Sequence, residues 1–573
     1  MVGRSAELAT LLAAVDHAAA GAAAAVVLDG DAGVGKTRLL AELVAEAERR
    51  GVLCLIGHCV DLGDAPPPYL PFIEAFGRYA VERPDEVQDI VAAFPAIGRL
   101  LRRNPAEPPR APEERVDRGD LFESVLAGLA TPAQVCTVLL VVEDVHWADQ
   151  ATRDLLGFLF TRLDRQRVAV VVTYRSDDLH RRHPLRPTLA EWLRLPRVER
   201  IHLDLLPPAD VRSLVRSLFT RPMPDMDLRS IVTRADGNAF FAEELVTAAE
   251  QCGDAQQLPW QLADLLLVRL DRLSPEAREV VRVAAVGGRR VSHEMLAAVL
   301  ELPAHLLDGA LREAVDAHIL EPTSSGRGYL FRHALLAEAV YDDLLPGERV
   351  RIHASYAAAV ETAEDGSAAE LARHARASND PQTAYDSNIQ AGDDAMSLAA
   401  PQEALNHYQA ALELVPLVDG AGDNPAPLVS KLVDAAIDAG RSYRGLRLAR
   451  SALQALADDA APLMRAELLY AFASAALAGE ADDGTVSATG EAVQLVPSDP
   501  PTAFRARLAA LHARGLLIMG REVDSERWAR EAVEMATALG MPTASGDAEV
   551  TLALLSRRAD SPDEAAERLG VLA

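Results

Sequence analysis

Residues 30–37 read GDAGVGKT, and their flanks decide the fold. Ala24 to Asp29 forms a short apolar run ending at Gly30, and after Lys36 apolar residues recur at 39, 40, 43, 44 and 47. The pattern is strand, glycine-rich loop, amphipathic helix. Glycines at 30, 33 and 35 let consecutive backbone amides, including that of Val34, turn inward around an anion, and the start of the helix adds about 0.3 to 2 kcal/mol of favourable field. In GxxxxGKT spacing, Lys36 reaches the β- and γ-phosphates of a nucleotide, Thr37 places its hydroxyl on Mg²⁺, and Arg38 follows in the first helical turn. The loop therefore implies ATP, with GTP as the alternative, together with magnesium. Of 57 basic residues only Lys36 and Lys431 are lysine, so Lys36 stands where the default arginine would not serve. A compact ammonium fits between two phosphates and a planar guanidinium does not.

A second apolar run, Thr137 to Val142, leads into Glu143 and Asp144 and then His146, Trp147, Ala148 and Asp149. Carboxylates at the C-terminal end of a parallel strand reach Mg²⁺ and can orient a water toward the γ-phosphate. The reading gives the metal to Glu143, with Thr37 and Asp144 beside it, and catalysis to Asp144. A third run, Val168 to Thr173, ends in Tyr174 and Arg175, which places Arg175 on the same sheet edge as a sensor of the γ-phosphate. Asn104 to Glu114 carries four prolines and reads as a loop.

At 573 residues the chain exceeds one hydrophobic core and divides into roughly three to five domains. No apolar run reaches the roughly 18 residues of a membrane span, and the first residues lack the pattern of a secretory signal. A cytoplasmic protein without a membrane partner is expected. Cys54, Cys59, Cys136 and Cys252 form no CxxC pair, and Cys54 and Cys136, in apolar runs, are expected to be buried. A net charge of −28 opposes contact between the body of the protein and nucleic acid phosphates.

Several stretches resemble the STAND ATPases and, within them, the large ATP-binding regulators of the LuxR family. They are VGRSAEL from residue 2, GDAGVGKT from 30, LLVVEDVHWAD from 139, VVTYRSDD from 171, GNAFFAEEL from 237 and FRHALLAEAVYDDLLPGERVRIH from 331. The resemblance implies an α/β P-loop NTPase of the ASCE type over residues 1–205, a helical lid over 206–260 and a winged-helix-like domain over 261–348. It also implies that Val2, Gly3 and Arg4 lie near adenine and ribose, that Gly237 to Ala239 closes the site from the lid, and that His333 senses the nucleotide. Relatives usually carry proline where Ala239 stands.

From about Glu370 the sequence is Ala- and Leu-rich helix with short breaks. Ala411-Leu412, Ala452-Leu453, Ala492-Val493 and Ala532-Val533 recur at separations of 41, 40 and 40, with Gly440, Gly479 and Gly520 between them. This internal repeat predicts a tetratricopeptide-like solenoid over 349–573, whose surface suits an inducer that is a small molecule, peptide or protein. The end at Ala573, within a fifth unit and without a helix-turn-helix, is read as an early end or a fragment, so DNA would be reached only through a domain outside this chain. The expected function is a signal-transducing switch with slow ATP hydrolysis, off with ADP and on with ATP, self-associating when on. A constitutive ATPase motor and an ATP-binding scaffold are the alternatives.

Overall fold

The computed structural model describes residues 2–60, 67–101, 117–218, 225–252, 270, 272–323, 326–332, 334–363, 366–457, 459–479 and 484–558. The proline-rich stretch 104–114, His333 and the residues after 558 lie outside them. Two compact units are formed, one through Asp380 and one from Pro381 onward.

The first unit opens with a parallel sheet of β1 (Ala24–Gly30), β2 (Leu53–His58), β3 (Val138–Glu143), β4 (Val168–Arg175) and β5 (Val198–Leu203), in the order β2-β3-β4-β1-β5. All neighbours pair in parallel. β3 and β4 are buried at every position, which is why their sequences are unbroken Val and Leu runs rather than alternating ones. On one face, Leu11 and Val15 of the helix Ser5–Ala19 and Leu39 and Leu43 of the helix Lys36–Arg49 pack against Val26, Leu28, Val141 and Val171. Full burial of such side chains contributes about 1.5 to 3 kcal/mol each. The insertion of β4 between the loop-bearing β1 and the acid-bearing β3 is the ASCE arrangement expected from the sequence.

β2 is an edge strand, so Cys54 is only partly buried, and so is Cys136, which follows a 3-10 turn outside the sheet. The expectation of two buried thiols is corrected. Cys59, just past β2, is the buried one. At Gly57 a β-carbon would meet Pro71 O at 1.9 Å, so glycine there admits the helix Leu70–Glu82 against the sheet edge.

Helices Pro208–Leu218, Asp225–Ala235 and Ala239–Cys252 surround a separate core of Val211, Val215, Ile231, Leu245 and Val246. Next come the helix Pro275–Gly287, β6 (Arg290–Ser292), helices His293–Leu300 and Ala304–Asp316, β7 (Leu320–Pro322) and β8 (Gly328–Phe331). The strands form an antiparallel sheet β6-β8-β7, and this order of elements is that of a winged helix. The unit continues past residue 348 because the helix Pro346–Thr362 sends Tyr356 into the same core, its hydroxyl donating to Val283 O at 3.0 Å.

The second unit is built of consecutive helix pairs. Pro381–Ser397 packs on Pro401–Leu414, Ala426–Asp438 on Ser442–Ala455, Pro462–Ala478 on Thr485–Leu495, and Ala503–Ile518 on Glu522–Leu539, followed by Pro542–Arg558. The repeated dipeptides fall in the second helix of each pair. Ala411, Ala492 and Ala532 are wholly buried there, small enough to let neighbouring helices approach. Gly440, Gly479 and Gly520 sit in the turns inside pairs.

Candidate nucleotide-binding site

The loop leaves β1 at Gly30 and enters the helix at Lys36. Gly33 and Gly35 hold φ of 80° and 103°, a region that disfavours any residue with a β-carbon. The helix begins without a side-chain cap and without an acid in its first turn, so its amides face an incoming anion unopposed. Lys36 is buried, and its ammonium donates to the carbonyls of Gly30 at 2.6 Å and Asp31 at 2.9 Å. Burial pulls its pKa below the ordinary lysine value, opposed by the charge of Asp144. The loop thus presents a satisfied but displaceable cation inside a ring of amides.

β3 and β4 bring the acids and Arg175 to the same sheet edge. Thr37 Oγ1 donates to Glu143 Oε2 at 3.1 Å, so the two expected metal donors touch. Asp144 adopts left-handed backbone at φ 58° and is held there by its N–H bond to Thr173 Oγ1 at 3.0 Å. β4 runs through Arg175 itself, and Arg175 pairs in register with Gly30. The guanidinium of Arg175 lies 4.9 Å from the Trp147 ring centroid and 3.3 Å from Glu338 Oε1. His146 Nδ1 accepts from Arg175 N at 3.4 Å, and its Nε2 lies 3.3 Å from Asp178. The HWAD extension therefore stacks and orients Arg175, while Asp149 caps the next helix by accepting from Thr152 N at 2.7 Å.

The segment leading into the helix Ala239–Cys252, expected to be a lid, meets the loop at Asn238. Its Nδ2 donates to Ala32 O at 2.9 Å, and Phe240 N donates to Gly33 O at 3.0 Å. Gly237, at φ 81°, bonds through its carbonyl to Leu206 N at 2.8 Å and sets the turn into this contact. Ala239 begins the lid helix. Arg4 is buried behind the loop, donating to Asp204 O and, at 3.3 Å, to Val34 O, with Gly3 packed on Asp210 and Val2 beside it in sequence. The Arg38 side chain points outward, paired with Glu42 at 3.1 Å. His333 lies outside the described residues.

Several residues of the site were not singled out in the sequence. His58, at the end of β2, is paired in register with Glu143; its Nε2 lies 3.5 Å from Glu143 and its Nδ1 2.9 Å from Glu74. Burial disfavours the imidazolium, but the two carboxylates outweigh it and raise its pKa to about 10. Burial likewise pushes Glu143 upward, and the bonds from His58 and Thr37 with the charge of Arg289 bring it below the ordinary carboxylate value. Arg289 and Arg290 come from the winged-helix-like part. Arg289 Nη1 donates to Asp144 Oδ2 at 2.8 Å, and Arg290 pairs with Glu74. The signal for His58 was available, a polar residue closing an apolar run on the edge where ligands bind. Nothing local in the sequence marked Arg289, Arg290 or Glu74.

The residues present fit a magnesium nucleotide: a loop of glycines held at positive φ, a buried ammonium and a hydroxyl bonded to an acid. Among the described residues no three or more His, Cys, Asp or Glu gather into a metal cage. A P-loop fold of this kind implies nucleotide binding. Among the described residues no helix is long and apolar enough to cross a membrane.

A family model described as an AAA ATPase domain matches residues 1–172. An uncharacterized protein of Rhizobium meliloti (strain 1021) is 27% identical over 460 residues, covering 72% of this chain and 42% of that protein. The chain thus spans less than half the length of that curated relative. Among solved structures, it is similar to a Signal Transduction ATPase with Numerous Domains protein with a tetratricopeptide repeat sensor from Pyrococcus horikoshii, at 14% identity, 99% coverage of this chain and 82% of that one, and a TM-score of 0.43. A RuvB mutant from Thermotoga maritima matches at 16% identity, 58% coverage of this chain and 93% of that one, and a TM-score of 0.26.

Proposed function

We propose that this chain is an ATP-binding signal-transduction switch of the STAND type, off with ADP and on with ATP, in which the tetratricopeptide-like helix pairs sense an inducer. One observation carries the reading: the acid suited to orienting the attacking water, Asp144, is committed to Arg289 from the winged-helix-like part at 2.8 Å. A motor that turns over continuously has no use for a separate domain occupying its catalytic acid. Arg175, the γ-phosphate sensor in this reading, is likewise engaged by Glu338 at 3.3 Å.

In this scheme Gly30 to Thr37 bind the phosphates, and Val2 to Arg4 lie near adenine and ribose. Thr37 and Glu143 would hold magnesium, which when bound draws charge from the β- and γ-phosphate oxygens. Lys36 exchanges its two carbonyl partners for phosphate, Asp144 orients water once Arg289 has left, and Arg175 reports the γ-phosphate. An inducer must favour the open state by about 5.5 kcal/mol to move a 1:99 population to 99:1. Self-association when on, a cytoplasmic setting, and transcriptional output through a DNA-binding domain outside this chain, as in LuxR-type regulators, complete the proposal.

The test is the nucleotide that survives purification together with the steady-state rate. Retained ADP and slow hydrolysis are expected; many turnovers per second without an inducer would exclude the switch. Lys36→Ala is expected to weaken ATP and ADP binding at least about tenfold, a loss of roughly 1.4 kcal/mol. Unchanged affinity would remove the loop from the site.

A further inference from the structure

A continuous chain of side chains runs from the winged-helix-like part to the metal side of the site. Arg290 pairs with Glu74 Oε1, and the other oxygen of Glu74 accepts from His58 N at 3.0 Å and meets His58 Nδ1 at 2.9 Å. The opposite ring nitrogen of His58 lies 3.5 Å from Glu143 Oε1, and Glu143 Oε2 accepts from Thr37 at 3.1 Å. Both metal donors are therefore engaged with protein groups while Arg290 is seated. The ring is fixed from behind as well, since Gly57 gives the helix bearing Glu74 direct access to the end of β2.

We infer that His58 is a positioning residue that relays the seating of Arg290 to Glu143, so that the winged-helix-like part controls the readiness of the site for magnesium. The inference rests on the switch reading and adds the route by which the metal side is governed. With Arg290 in place, Glu74 is shared between guanidinium and imidazole, and His58 holds Glu143 away from a metal. When Arg290 leaves, Glu74 has the imidazole alone and draws it from Glu143, which then turns with Thr37 toward magnesium. Both side chains flanking His58 are carboxylates, so the ring moves between two acceptors and no covalent bond is made or broken.

The experiment measures ADP affinity of the full chain with Mg²⁺ and with a chelator, and takes the ratio of the two. Arg290→Ala is expected to raise that ratio about fivefold, within the usual range of coupling between sites. His58→Leu is expected to raise it similarly, and the double variant to match His58→Leu alone, because the arginine acts through the histidine. Glu74→Gln, which leaves His58 to Glu143, is expected to lower it. His58→Gln, whose amide can bond either acid, should restore part of the sensitivity to Arg290→Ala. Multiplying effects of Arg290→Ala and His58→Leu, or a rise in Glu74→Gln, would overturn the relay. Should His58→Leu fail to fold, His58→Gln and Glu74→Gln decide the matter alone. Lys36→Ala separates the two levels: unchanged nucleotide binding there removes the underlying reading, whereas lost binding with multiplying Arg290 and His58 effects removes only the relay.

Discussion

Arg289 Nη1 and Asp144 Oδ2 meet at 2.8 Å across a sequence separation of 145 residues, with the two side chains 18% and 9% exposed. At that burial the pair is strong only while complete, because removing one partner strands a charge. Stranding Asp144 favours any motion that rehydrates it. Arg289→Ala is therefore expected to speed both ADP release and steady-state hydrolysis, by about tenfold for each 1.4 kcal/mol of lost closure. Stopped-flow release of a fluorescent ADP analogue and a phosphate assay check this. Arg289→Lys should fall between, since it keeps the charge without the planar fork. Unchanged release in Arg289→Ala would deny the contact a role in closure.

The helix Ala239–Cys252 and the Asn238 before it meet the loop at Ala32 and Gly33. A β-carbon at Gly33 would stand 2.6 Å from Asn238 Oδ1, at a φ of 80°. Gly33→Ala is expected to displace the lid and also to incur about 1 to 2 kcal/mol of backbone strain. Removing the obstacle in Gly33→Ala/Asn238→Ala should recover the displacement but not the strain. Limited proteolysis reports lid contact and thermal unfolding reports strain, so the two costs are read separately. If the double variant is cleaved as fast as Gly33→Ala, the clash is not what moves the lid.

Four buried histidines are expected to make the protein acid-sensitive. In the first unit His353 Nδ1 contacts His374 Nδ1 at 2.8 Å, and the His374 ring stacks on Tyr356 with centroids 4.8 Å apart. In the second unit His407 bonds Asn388 at 3.0 Å and His512 bonds Thr489 at 2.7 Å. Burial depresses His353, His407 and His512 to about 4 and His374 to about 2, aided at His353 and His374 by Arg373. A folded value below the unfolded one, near 6.5, means that the unfolded chain takes up the proton first. Stability is then full above about pH 6.5 and falls by about 1.4 kcal/mol per pH unit per histidine on acidification toward the folded values. Melting temperature measured from pH 7 to 5 should drop for both units, and His407→Gln should flatten the curve of the second.

The turn inside the first helix pair puts alanine where the second and fourth pairs put a left-handed glycine. Ala399 has φ 53°, where Gly440 and Gly520 have 69° and 75° in the corresponding turns. Left-handed backbone costs a residue with a β-carbon about 1 to 2 kcal/mol, partly offset by the larger unfolded-state entropy of glycine. Ala399→Gly is expected to raise stability by about 0.5 to 1 kcal/mol, read from the urea midpoint. A loss of stability would mean that the alanine methyl packs more strongly than the backbone strains.

The parallel sheet and its loop were legible because their physics is local. GDAGVGKT forces a particular turn, and the unbroken runs at Val138 to Val142 and Val168 to Val172 announce strands covered on both faces. The repeat spacing was legible for the same reason, since Ala411, Ala492 and Ala532 sit at the same place in successive helix pairs. Partners brought in by tertiary packing were not legible. Arg289 and Arg290 look like solvated charges in the sequence, and their targets lie far away along the chain. The side chain of Arg38, in the first helical turn, points outward to Glu42, a direction that the loop motif does not reveal. Cys54 failed on topology, since an apolar run does not reveal that its strand lies at the sheet edge.

Arg289 immediately precedes β6, and Arg290 is the first residue of that strand. One reaches Asp144 directly and the other reaches Glu74. Because the two are consecutive in the chain, in the proposed switch a rigid shift of this segment would release Asp144 and Glu74 in one stroke. Under that proposal, half-opened states in which Glu74 is free while Asp144 is still held are expected to be brief. The timing of the site is written into two consecutive codons, and separating them by one inserted residue would desynchronise release without deleting either contact.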